Sequence, residues 1–275
     1  MKCFKVFCLA LFTVFAGVSA LPAQNRTGMS LSGATGLFAI PSGRIGWEYG
    51  GPSAFGLDLG YHTIIDDGIT THIPKMALSL FNMVEFSAAV DMQPARHRTM
   101  YRFGPRNGND FIAGMKVQLP LSRTALAIGG NYQYINMDRD NRRNSAWQVY
   151  LAATYAGHFF DMPAETTIVV GRTFMEGSSN TNIDFGMGFD LQLFPRVFDT
   201  FVHWITDFAN FSYSVDAFRV NAWHRGVLNT GLRFNLSSIP AFNRLRFAAD
   251  IMLVDALDHN RAFAAGLTFG VPIIH

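Results

Sequence analysis

The chain has only two cysteines in 275 residues, and both, Cys3 and Cys8, stand within its first 20. Without those residues no disulfide is available, and the rest must hold itself together by hydrogen bonding and apolar burial. Net charge is also scarce. Lys2 and Lys5 are the only charged residues before residue 21, so the remaining chain carries 20 basic and 20 acidic residues. A formally neutral chain gives no reason to expect a nucleic-acid partner. No apolar run of 18 or more follows the first 20 residues, which excludes a transmembrane helix. There is no Gly-x-Ser-x-Gly elbow or other ordered nucleophile motif, so no catalytic residue is assigned. No cofactor and no metal set is expected either.

What is present is apolar and exported. Apolar residues make up 49% of the chain, and 26 residues are Phe. Lys2 and Lys5 lead into a mostly apolar stretch from Val6 to Val18, and Val18-Ser19-Ala20 is a small-x-Ala cleavage site. Residues 1–20 therefore read as a secretory signal peptide, too short to span a bilayer.

From residue 53 onward, apolar and polar residues alternate with a period of two, broken by turn residues. In 183–193, Ile183, Phe185, Met187, Phe189, Leu191 and Leu193 share one face, and Asp184, Gly186, Gly188, Asp190 and Gln192 share the other. A strand sends successive side chains to opposite sides. The pattern predicts strands over 53–65, 69–80, 83–92, 110–119, 122–136, 145–156, 165–175, 181–193, 198–208, 226–236, 243–254 and 261–272. Tight links at 81–83, 119–122, 194–196 and 237–241 alternate with longer polar ones at 93–109, 137–144, 176–180, 209–225 and 255–260; the link at 157–164 is of middling length, and Asp66-Asp67-Gly68 is a tight turn among the long loops. A soluble two-sheet fold explains the alternation, but strands this long and aromatics near the ends of the apolar faces fit a bilayer better. The expected fold is all-β: a transmembrane up-and-down antiparallel β-barrel of about 12 strands, within 10 to 14, spanning residues 53–275.

Residues 21–52 form a Gly-rich segment of a different kind, read as either a plug or a first strand centred on 45–51. Its Thr35-Gly36-Leu37-x-x-x-Pro41-Ser42-x-Arg44 stretch resembles the start of the YjbH-like outer-membrane barrel proteins, with Gly43 where that family usually has Ala. The resemblance spans about 15 residues. It implies an outer-membrane location and a segment tucked against the periplasmic mouth or the lumen, and it carries no substrate. The chain ends Phe269-Gly-Val-Pro-Ile-Ile-His275 rather than on the aromatic residue usual for such barrels.

The inward face is expected to carry Asp58, Glu85, Asp91, Lys116, Asp184, Asp190, Arg233, Arg246 and Asp250. Charges of both signs there mean either a hydrated pore or an ion-paired, closed lumen. Small inward residues such as Gly56, Gly60 and Gly266 leave room for a passage, and a small or gated one is the preferred expectation. Arg96, Arg98, Arg102 and Arg106 in one loop, with Arg142 and Arg143 in the next, suit an anionic partner such as lipid head groups or an acidic polysaccharide. Barrel closure is expected to bring His62, Asp66 and Asp67 near Asp255, Asp258 and His259 at the outer rim, a weak acid–His cluster. The function expected is a porin-like channel for small solutes or ions in the cell outer membrane. The alternative is a non-conducting surface barrel acting as an adhesin or envelope-organising protein. Expected partners are outer-membrane lipid and the barrel assembly machinery.

Overall fold

In the computed structural model, residues 28–46, 55–66, 69–92, 109–120, 124–136, 143–175, 183–210, 226–239, 245–257 and 261–274 are described. The expected leader, the arginine loop 93–106 and Arg142 lie outside them. A two-residue ladder, β1 (Gly28–Met29) with β2 (Thr35–Gly36), stands apart from one closed barrel. The barrel strands are β3 (Phe55–Asp66), β4 (Ile69–Leu80), β5 (Val84–Asp91), β6 (Asp110–Pro120), β7 (Thr124–Asn136), β8 (Arg143–Phe159), β9 (Met162–Met175), β10 (Asp184–Gln192), β11 (Val202–Ala209), β12 (Val227–Asn235), β13 (Arg246–Val254) and β14 (Ala262–Ile274). Each strand pairs antiparallel with the next, and β14 pairs with β3 from Phe263↔Ile65 to Ile274↔Phe55. The barrel is therefore all-antiparallel, up-and-down and twelve-stranded, and closure leaves no free edge.

The two ends differ. The links after β4, β6 and β8, of three, three and two residues, mark one end as the short-turn end, which also carries the links after β10 and β12; the longest links, 92–109 and 210–226, lie at the other. Phe81 and Asn82 both have φ 54°, and Phe160 and Asp161 have φ 47° and 63°. Two consecutive left-handed residues make the primed turn that matches strand twist. The β8–β9 link is thus only Phe160-Asp161, tighter than the 157–164 link expected. The strand expected over 198–208 also starts later. Pro195–Phe198 forms a helical turn, α1, and β11 begins at Val202, because Pro195 sets the helical φ and removes a ladder donor.

Burial follows the period of two. On β8, Trp147, Val149, Leu151 and Tyr155 are exposed, while Gln148, Tyr150, Ala152 and Thr154 are buried. On β14, Phe263, Leu267 and Phe269 are exposed between buried Ala262, Ala264, Gly266 and Thr268. The exposed face is the apolar one right round the wall: Leu59, Met76, Phe86, Met115, Ile128, Val170, Met187, Trp204, Leu232 and Ile251 are all outward and exposed. An apolar surface of that extent marks contact with lipid or a partner rather than with water. Aromatic pairs stiffen it across strands, Tyr132 with Trp147 at 4.6 Å and Phe189 with Trp204 at 5.2 Å between ring centres. Arg172 also lies on the outward side, its guanidinium 5.0 Å from the Phe174 ring.

Candidate functional site

The nine inward charges read from the sequence, Asp58, Glu85, Asp91, Lys116, Asp184, Asp190, Arg233, Arg246 and Asp250, are all buried inside the barrel. Six of them form three ion pairs. Arg233 grips Asp250 with two nitrogens, at 2.7 and 3.0 Å. Arg246 Nη1 donates to Asp58 at 2.8 Å. Lys116 Nζ lies 3.1 Å from Glu85 across β6 and β5. The other three sit elsewhere. Asp190 lies 2.6 Å from His203 Nδ1, and Asp184 closes a chain in which Asn131 donates to Gln148, Gln148 to Asp184 at 2.8 Å, and Thr173 to Asp184 at 2.6 Å. Asp91 faces Asp110 in the β5–β6 register. Of the loop arginines, only the backbone of Arg143 is described, paired with Asn136 at the start of β8.

Residues 28–46 occupy this interior. They are buried, apart from half-buried Arg44, and their hydrogen bonds go to inward side chains from β4 round to β13. The segment enters beside Arg246, whose Nη2 donates to the Gly28 carbonyl at 2.8 Å. Lys75 Nζ donates to the carbonyls of Met29 and Ser30 at 2.9 and 2.7 Å. A hairpin follows. Gly36 faces Pro41, and Leu37 N donates to the Ile40 carbonyl at 3.0 Å, so Leu37–Ile40 is its tip. At that tip Asp207 accepts from Phe38 N at 2.8 Å and Ala39 N at 2.6 Å. The return limb is held by Thr154 Oγ1 on Gly43 N at 2.8 Å, Gln118 Oε1 on Ile45 N at 2.7 Å and Glu165 on Arg44 at 2.9 Å. It leaves beside the starting point, for a Cβ on Gly46 would stand 2.1 Å from Arg246 Nη1. Arg246 opens β13 at the short-turn end of the barrel, so Gly28 and Gly46 both lie toward that end.

The interior is layered. Around the stem of the hairpin it is ionic. Around the tip it is apolar, where Leu31, Leu37, Phe38 and Ile40 share one buried cluster with Ile64, Ile73, Ile112, Met252 and Val254. Glycines on the wall make the fit close. A Cβ at Gly60 would lie 2.9 Å from the Met29 sulfur and one at Gly188 2.6 Å from Leu37 Cδ1. Gly60, one of the small inward residues expected to leave a passage open, is instead in contact with residues 28–46. In this conformation six of the nine inward charges are spent on one another, and four of those six, Glu85, Lys116, Arg233 and Arg246, also hydrogen-bond that segment.

His62 does not stand at the outer rim where closure was expected to bring it. His62 points into the lumen, its Nε2 3.3 Å from Asp250 and its ring 5.8 Å from that of Phe38. Four residues along β3, at the long-loop end, Asp66 faces Ile69 across the turn. Asp255 N donates to Asn229 Oδ1 at 3.2 Å; Asp67, Asp258 and His259 fall outside the described residues. The reason is parity, since His62 stands one residue from outward Tyr61 and must face in. Several residues of the site were not singled out from sequence: Lys75, Gln118, Thr154, Glu165, His203, Asp207 and Asn229. Each shares the inward parity of its strand. Among the described residues, no group of three or more His, Cys, Asp or Glu is placed to hold a metal ion.

No protein-family model matches the chain, and no curated protein matches it. Among solved structures it is similar to the outer-membrane protein Omp33 of Acinetobacter baumannii, at 11% identity and TM-score 0.43, over 81% of this chain and 100% of that one. An outer-membrane channel of Pseudomonas putida F1 gives 12% identity and TM-score 0.44, over 80% and 96% of the two chains. The translocator domain of the autotransporter NalP of Neisseria meningitidis gives 7% and 0.35, over 82% and 90%.

Proposed function

We propose that this chain is an outer-membrane β-barrel of the porin-like kind, exported by a cleaved leader, whose passage is held shut by its own residues 28–46. The observation that carries this reading is the occupied lumen: four cationic side chains, Lys75, Lys116, Arg233 and Arg246, hold the segment by its backbone carbonyls. A lumen built to be filled permanently does so most simply with apolar side chains, whereas this one is lined with charge and closed by a separate, end-tethered hairpin. The apolar outer wall supports a bilayer location, because alternating lipid-facing and lumen-facing residues are the mark of a membrane barrel. Insertion would fall to the barrel assembly machinery, with Phe269 as the outward aromatic nearest the end of β14.

Planar-bilayer recording tests the reading. The full-length protein is expected to be nearly silent at low voltage, and a variant lacking residues 28–46 to show discrete steps. Charge reversal at Asp184 or Asp190 should shift the ion selectivity of those steps, because inward charges set it. Steady, wide-pore conductance in the full-length protein overturns the reading.

A second reading, a non-conducting surface barrel, draws support from the three ion pairs that cross the lumen wall, Arg233–Asp250, Arg246–Asp58 and Lys116–Glu85. It expects silence from both proteins and assigns the work to the loops. Arg96, Arg98, Arg102, Arg106, Arg142 and Arg143 would then meet an anionic surface ligand by bidentate phosphate or carboxylate contacts. Loss of binding to anionic polysaccharide on replacing these arginines, with the barrel intact, is its test.

A further inference from the structure

We propose that Asp207 and the apolar wall around it form a binding site for short hydrophobic peptides, and that Leu37–Ile40 are its resident occupant; this rests on the reading of residues 28–46 as a removable closure. The carboxylate is fully buried on β11, and among the described residues it makes no ion pair. Its charge is met by hydrogen bonds. One oxygen accepts from two successive backbone amides, Phe38 N at 2.8 Å and Ala39 N at 2.6 Å, and the other from Asn229 Nδ2 at 2.8 Å. A carboxylate that takes adjacent main-chain N–H groups reads a peptide backbone and is indifferent to its side chains.

The side chains are read by the wall. Gly188, the register partner of Asp207, is cut away where Leu37 lies, since a Cβ there would meet Leu37 Cδ1 at 2.6 Å. Phe38 packs on the His62 ring. Ile64, Ile73, Ile112, Met252 and Val254 complete the buried apolar cluster. Apolar wall bared to water is costly, so an incoming chain gains by covering it while two N–H donors replace water on the carboxylate. An apolar peptide does both, whereas a polar sugar or an inorganic anion does not.

The test uses a fluorescent dansyl-Leu-Phe-Ala-Ile amide and its analogue N-methylated at Phe and Ala, which lacks the two donors. The protein is the variant lacking residues 28–46, shown folded by heat-modifiable gel migration. Saturable binding of the parent peptide is expected, weakened about tenfold or more by N-methylation and by adding Asp207→Asn, with the full-length protein binding far less. If the deletion variant does not fold, full-length L37S/F38S, with its tip seat weakened, should bind the probe more tightly than the parent protein. Equal binding of the two peptides, or no saturable binding by a folded variant, overturns the proposal. Conductance steps without peptide binding defeat this inference and leave the closure reading standing; peptide binding without steps does the reverse.

Discussion

Lys116 and Glu85 face each other at 3.1 Å from neighbouring strands, and together they clamp one stretch of chain from two sides. Lys116 donates to the carbonyls of Thr35, Ser42 and Arg44 at 3.0, 3.2 and 2.7 Å. Glu85 accepts from Thr35 N at 2.8 Å, Thr35 Oγ1 at 2.5 Å and Gly46 N at 3.1 Å. Lys75 repeats the lysine half of the device on Met29 and Ser30. After residue 20 these are the only two lysines in the chain. An ammonium is a point charge with three donors that suits converging carbonyls, while the planar Arg fork suits carboxylates. Arg233 and Arg246 are used on Asp250 and Asp58 accordingly.

Removing one partner of the clamp should therefore cost more than the pair contributes. Lys116→Met leaves Glu85 buried without its cation, and such a loss is worth about 3–5 kcal/mol. The folded band on a heat-modifiable gel should be lost at a clearly lower temperature. Lys116→Arg should recover little, because a fork cannot converge on three carbonyls. An unchanged transition in Lys116→Met would show that the clamp carries no stability.

The Arg233–Asp250 pair calls for a double-mutant cycle. Either Arg233→Met or Asp250→Asn strands a buried charge, so each single change should be strongly destabilising. The double variant should cost well under the sum of the two, with a coupling of about 1–3 kcal/mol. Additivity within about 0.5 kcal/mol would mean that the two groups do not depend on each other.

Gly43 sits where a side chain cannot. A Cβ there would lie 2.2 Å from the Ala125 carbonyl oxygen and 3.0 Å from that of Ala152, both backbone atoms of the wall. Backbone atoms cannot swing aside as a flexible side chain can, so either the limb or the wall must shift to seat a methyl group. Gly43→Ala should push the return limb off β7 and β8, break the Gly43 N to Thr154 bond, and raise the open probability in planar bilayers above that of the parent. A silent Gly43→Ala protein with unaltered thermal stability would show that the limb relocates without strain.

The barrel was legible because each strand has one greasy side and one wet one. Trp147, Val149 and Leu151 against Gln148, Tyr150 and Ala152 give the period, and turn residues give the punctuation. The reading slipped where that contrast fades. Around 194–201, Phe194, Val197 and Phe198 are exposed at a turn, so apolar character there does not mean strand. Leu191 is buried although it stands on the outward side. His62 was misplaced by reasoning from barrel closure when parity with Tyr61 already set its direction. Asp207 was hidden in a stretch apolar on both faces, and the rarity of Lys75 and Lys116 was the unused signal for the clamp. The course of residues 28–46 has no periodic signature at all. It is set by bonds to residues as far off in sequence as Arg246, which is 218 positions from Gly28.

The outward wall provides the last test, because lipid and water penalise the same substitution differently. Ile128 on β7 and Leu267 on β14 are each more than half exposed, and neither packs into the lumen. In a barrel dissolved in water, a charge at either place would be nearly neutral, as surface substitutions generally stay within about 0.5 kcal/mol. In a bilayer, Arg near the midplane costs about 2–4 kcal/mol and much less near an interface. Ile128→Arg and Leu267→Arg should each lower folding stability in phospholipid vesicles by an amount in the bilayer range, measured by denaturant titration. Arg introduced at Phe159, beside the tight Phe160-Asp161 turn, should cost under about 1 kcal/mol. A uniform, near-zero cost at all three positions would place the wall in water and remove the ground for a membrane barrel. A graded cost, largest at the two mid-strand sites, is what acyl chains against this surface require.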